Sequence, residues 1–272
     1  MQTKAKKPIV QEVRKPILTG SWHGKDAWRH GMRYMLTVLL IGLIYLLACS
    51  ILGFDSLAGR IVSAVVVVGG IGYYQYLQGM SLGTKDAALG ETMYVRQAEG
   101  KPVSPKDRER CFHPFKGFFI ALVGALPFVL FCAVFACITR ETTYALGVLP
   151  SWTEGMLLQE EFGDALRYYT AQPGVQAMDV LRIIDRALIM PFASIGAYLG
   201  NHAALVVERL SPVLVLLAPM VYALGYAQGE KARIRVNTAI QLGDDKKKRR
   251  ERKARKQRQQ KQQQRKQPER LI

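Results

Sequence analysis

Four uninterrupted apolar runs constrain this chain more than any other feature. They are Tyr34–Gly53, Ile61–Met80, Gly117–Ile138 and Pro212–Gln228, and none contains Asp, Glu, Lys, Arg or His. A helix that crosses a bilayer needs about 20 predominantly apolar residues. Buried helices of a soluble protein rarely reach that length without one ionisable side chain. The expected fold class is therefore an all-α integral membrane protein with four transmembrane helices.

The connectors between the runs set an orientation. The formal net charge is +17, carried by 38 Lys and Arg against 21 Asp and Glu. Residues 1–33 hold eight of the bases, residues 81–116 seven, and residues 229–272 seventeen. Only six lie elsewhere: Arg60, Arg140, Arg167, Arg182, Arg186 and Arg209. The positive-inside rule then places both termini and the 81–116 connector in the cytoplasm, in a multi-pass protein of the plasma membrane. The plan is a basic N-terminal segment (1–33), a first transmembrane hairpin (34–80, with spans 34–53 and 61–80) and a cytoplasmic helical hairpin (81–116). A third span (117–138), an extracytoplasmic loop (139–211), a fourth span (212–228) and a polybasic tail (229–272) follow.

Asp179–Val207 contests that count, because it is apolar enough to be a fifth span. Its first half is amphipathic, with Asp179, Arg182, Asp185 and Arg186 at helical spacing on one face. A fifth crossing would also carry the seventeen-base tail outside. The expectation is an amphipathic helix near 179–200 on the outer face, interfacial or partly re-entrant, which Pro191, Gly196 and Gly200 allow to bend. Leu46–Cys49 loosely fits a lipoprotein cleavage box. The long basic segment ahead of it and the apolar residues after it favour an uncleaved first span.

Small residues let helices approach closely in lipid. The second span offers Ser63, Ala64, Gly69, Gly70 and Gly72, and a stripe continues through Gly79, Gly83 and Ala87. This helix is expected to run on to about Ala98. Glu99–Pro102 reads as a turn, and Ser104, Pro105 and Asp107 as the start of a short helix ended by His113-Pro114.

Chemistry is sparse. Gly79-Met80-Ser81-Leu82-Gly83 matches a nucleophile-elbow pattern, but a helix precedes Ser81 where that motif needs a strand. Cys111 and His113 are two ligands where a metal site needs three or four, so no metal or cofactor is expected. With no charge in any run, no proton relay or charge-coupled site is expected in the bundle. The loop acids Glu154, Glu160, Glu161 and Asp164 lie beside Trp152, Phe162, Tyr168 and Tyr169. They read first as an ordinary amphipathic surface helix.

The tail is where a partner is expected. Its candidate contact residues are Lys246, Lys247, Lys248, Arg249, Arg250, Arg252, Lys253, Arg255, Lys256 and Arg258. Without aromatics there is no platform for stacking bases, so sequence-specific nucleic-acid reading is not expected. Anionic lipid headgroups, ribosomal or other RNA, and an acidic protein remain as partners, bound through charge. A solvated, partly helical or disordered segment is expected there. The function these features fit is a non-enzymatic scaffold or accessory subunit. A small transporter or permease component is the alternative, and a membrane enzyme using the loop carboxylates is the second alternative.

Overall fold

The structure, a computed structural model, describes residues 12–140, 156 and 177–266. The loop acids and aromatics from Trp152 to Tyr169 lie outside the described residues. Within them the regular structure is all-helical. The helices are α1 (Lys25–Ile51), α2 (Leu57–Ala98), α3 (Pro105–Arg110), α4 (Lys116–Ile138), α5 (Ala177–Leu188), α6 (Met190–Leu199), α7 (Asn201–Val215), α8 (Leu217–Ala227) and α9 (Gly229–Lys266).

Four helical stretches are long and apolar enough to cross a membrane: α1, α2, α4 and the pair α7–α8. The last begins at Asn201, ahead of Pro212, which lies inside α7. Leu216 keeps helical backbone angles, so α7 passes into α8 almost without interruption. Side chains such as Leu39, Leu43, Val62, Val66, Leu122, Leu126, Leu210 and Val213 point away from the bundle and are about half exposed or more. An apolar outer belt of this kind suits lipid rather than water.

The bundle has two ends. The tail end gathers the extended segment 12–24, the far half of α2, α3 and α9; the loop end gathers Leu52–Ser56, Thr139 and Gly200. Two glycine pairs form the spine. Gly79 and Gly83 of α2 face Gly225 of α8 and Gly229 of α9, and backbones meet directly. A Cβ on Gly79 would lie 2.1 Å from the Tyr222 carbonyl oxygen, and one on Gly225 2.1 Å from that of Tyr76. The elbow-like match around Ser81 is thus a helix-packing stripe. Gly69, Gly70 and Gly72, expected to pack in the same way, have nothing within 4 Å of an added Cβ. They lie off the face that Ser63, Ala64, Val67, Gln75 and Gly79 present to the bundle.

Of the two forms expected near 179–200, interfacial or partly re-entrant, the packing resembles the second, as two helices that meet within the bundle. α5 enters the bundle from the loop end, and α6 returns to it. Ile189 breaks the helix between them, and Pro191 sits in the first turn of α6, where its missing N–H costs nothing. The apex is deep: Leu188 packs against Gly42 in the middle of α1, and Met190 against Ile41, Tyr45, Val67 and Ala218. α6 has 10 residues, about 15 Å of helix, too short for a crossing. The amphipathic face is also turned the other way. Asp185 is fully buried while Ile183 is 62% exposed. The polar face turns inward because its partners are inside the bundle.

Candidate functional site

Buried charges lie at both ends of the bundle. The apolar runs do lack charges, but residues flanking them are drawn inside. Lys116, the first residue of α4, is completely buried. Its Nζ donates to Asp86 Oδ2 of α2 at 2.9 Å and to Asp26 Oδ2 of α1 at 3.1 Å. It also faces the Glu109 and Arg110 carbonyls, which the short α3 leaves without helical partners. Tyr226 of α8 donates its hydroxyl to the same Asp86 oxygen at 2.7 Å. One ammonium therefore ties four helices together at the tail end, and Asp86 adds α8 as a fifth. Beside it the Cys111 thiol, buried and donating to the Asp107 carbonyl, is pushed up by burial, against the opposing pull of Lys116. His113 is used locally, its Nδ1 accepting the Phe115 N–H.

A second buried carboxylate seats the tail. Glu91, on the α2 extension, accepts from Arg233 Nε and Nη2 at 3.0 and 2.9 Å and from Asn237. Arg233 and Asn237 are one turn apart on α9, so the clamp fixes that helix along α2. The extended segment 12–24 straps the same junction. Val13 N–H donates to Thr238 Oγ1, Leu18 N–H to the Gly90 carbonyl, and Gly20 N–H to the Phe112 carbonyl. Gly90 must lack a side chain here, since a Cβ would meet Ile17 at 2.5 Å.

Beyond the clamp α9 runs on as a single helix to Lys266. Lys246, Lys247, Lys248, Arg249, Arg250, Arg252, Lys253, Arg255, Lys256 and Arg258 are all exposed. None of the ten makes an ion pair among the described residues. At 100° per residue they surround the helix, with no apolar face between them. Lys, Arg and Gln are good helix formers, which lets such a rod hold its shape.

The loop end carries its own ionic knot. Glu208 of α7 is 2% exposed. It accepts from Thr139 Oγ1 at 2.7 Å, and Arg186 and Arg182 of α5 reach it at 2.7 and 3.2 Å. Arg182 also donates to the Arg140 carbonyl at 2.8 Å. Beneath this knot Asp185 faces Cys132 and Ser211. Arg60 secures the other arm, donating to the carbonyls of Phe54 and Ser194 and lying over the Tyr198 ring.

Sequence reasoning missed Asp86, Glu91, Lys116, Asp185 and Glu208. A signal for two of them was present. The small-residue stripe does not stop at Ala87 but includes Gly90, and Asp86 and Glu91 lie on the same packed face.

The class defined by this fold is an all-helical protein with four helices long and apolar enough to cross a membrane and one long exposed basic helix. Compared with protein-family models, curated proteins and solved structures, the chain matches none of them.

Proposed function

We propose that this protein is a non-enzymatic scaffold of the plasma membrane, both termini in the cytoplasm, whose basic helix holds an RNA-bearing particle such as a ribosome beside the bilayer. The observation that carries this reading is the seat of α9. Arg233 and Asn237 anchor it to Glu91, so the charged stretch is aimed by the bundle rather than tethered to it. Lys246 lies 13 residues past Arg233, about 20 Å further along the helix. Where the helix projects away from the bilayer, that distance exceeds the screening length of about 8 Å at physiological salt, which weakens attraction to the headgroups. A helix that lies on lipid also needs an apolar face, and the stretch from Lys246 to Arg258 has none. Charges on every side suit a phosphate polymer. Co-sedimentation of the solubilised protein with ribosomes at moderate salt tests the proposal. Loss of co-sedimentation with retained binding to anionic vesicles would move the tail to lipid.

One observation favours a second reading, a small transporter or permease component. Half-helices that meet inside a bundle build substrate sites in many transporters, and α5 and α6 meet at Ile189 beside the buried Asp185. Labelling of an Asp185→Cys variant by a membrane-impermeant thiol reagent would support an aqueous path there. Protection would leave the hairpin a packing element.

A further inference from the structure

The ten tail residues are not the only uncompensated positive charges among the described residues. α1 packs chiefly on α4, and α2 on α8, so a cleft of about 470 Å³ opens between α1 and α2 towards the tail end. Its rim is basic. Arg33 and His30 come from α1 and Lys85 from α2, and no carboxylate lines it. Arg33 and Lys85 are exposed and take part in no ion pair or hydrogen bond among the described residues. The nearest acids are already engaged, Asp26 and Asp86 both by Lys116. Below the rim the cleft becomes apolar, lined by Tyr74, Leu77 and Leu82. Gln78 also lines it, and its Oε1 is buried without a donor.

The two parts of the cleft match the two parts of one molecule. Arg33 lies one residue from Tyr34, whose ring packs on Tyr222 inside the bundle. Its charge therefore starts within the apolar belt and must reach outward to a polar group. Basic pockets between membrane helices on the cytoplasmic side suit anionic headgroups. We infer that the α1–α2 cleft seats an anionic phospholipid, its phosphate between Arg33 and Lys85 and its acyl chain along Tyr74 and Leu77. The floor is rigid because Tyr34 donates to Gln75 at 3.1 Å, tying α1 to α2 beneath the site. His30 closes the rim, 3.7 Å from Asp26.

The test uses the full chain with all fourteen bases from Lys246 to Arg270 replaced by Gln, so that the tail's charge is removed and the cleft is read independently of the scaffold proposal. Native mass spectrometry counts lipids retained from mixed micelles of phosphatidylglycerol and phosphatidylcholine with identical chains. The cleft is expected to hold one phosphatidylglycerol, and Arg33→Gln with Lys85→Gln to bind it about thirtyfold more weakly. Arg33→Lys with Lys85→Arg keeps the charge and is expected to bind like the parent, and unchanged thermal unfolding of all variants verifies the fold. Equal retention of phosphatidylglycerol by parent and Gln variant would overturn the inference, as would equal retention of phosphatidylcholine. Displacement by millimolar inorganic phosphate would assign the rim to a soluble phosphate and overturn the lipid.

Discussion

Gly83 of α2 and Gly229 at the start of α9 touch backbone to backbone: a Cβ on Gly229 would lie 2.4 Å from the Gly83 carbonyl carbon. The contact sits where the membrane-length part of the chain hands over to the basic rod. Gly83→Leu has no room and no flexible neighbour to displace, so it should destabilise the protein by at least about 3 kcal/mol. Gly69→Leu, which meets nothing within 4 Å, should unfold like the parent. Thermal unfolding in detergent, followed by circular dichroism, compares the two.

Lys116 should be the most sensitive charged position. Lys116→Met leaves Asp26 and Asp86 facing one another with Asp86 buried, a loss of about 3–5 kcal/mol for a broken buried pair. Adding Asp26→Asn and Asp86→Asn removes the stranded charges and should recover part of the loss. The same melts, arranged as a mutant cycle, read the coupling directly. A single variant as stable as the parent would show that the ammonium does not join the helices.

The membrane-length helices and the extent of α2 to Ala98 were legible because hydropathy and small-residue spacing act locally along the chain. The buried charges were not. Asp86 and Lys116 are 30 residues apart, and nothing local says that Lys116 turns inward rather than to water. α5 misled for a related reason. Its amphipathic pattern is plain, but the pattern alone does not tell which face meets the protein. In water the apolar face goes in; here Arg182 and Arg186 turn in to meet Glu208, and Asp185 on the same face is carried in with them, its carboxylate buried without a hydrogen-bond partner among the described residues. The tail's charge was legible, whereas its seat on Glu91 depends on a contact with the far half of α2.

Glu208 should hold α5 to the bundle. In the parent, Cys137 is exposed while Cys132 and Cys111 are buried, so a membrane-permeant maleimide should modify Cys137 first. Burial also keeps the Cys111 thiol protonated at neutral pH, which slows it further. Glu208→Gln weakens the hold on Arg182 and Arg186 and should raise the alkylation rate of Cys132 about tenfold, leaving Cys111 unchanged. Peptide mapping after timed labelling distinguishes the sites.

The clamp on Glu91 should set the direction of α9. Spin labels at Tyr94→Cys and Ile240→Cys, in a background lacking the native cysteines, should give one narrow distance. Arg233→Ala with Asn237→Ala, made together with Glu91→Gln so that no buried carboxylate is stranded, should broaden it while the bundle still unfolds near the parental temperature. An unchanged narrow distance would mean that the rod is held by something other than this carboxylate.

The central claim is that α9 carries a phosphate polymer, and flotation tests it most directly. Full-length protein in purely zwitterionic vesicles is mixed with purified ribosomes over a range of salt and floated on a density gradient. Ribosomes should rise with the parent at low salt and fall away steeply as salt increases, since binding that releases counterions weakens with each contact. The variant with all fourteen bases from Lys246 to Arg270 changed to Gln should leave them at the bottom at every salt. Equal flotation by parent and variant, or none by either, would contradict the account.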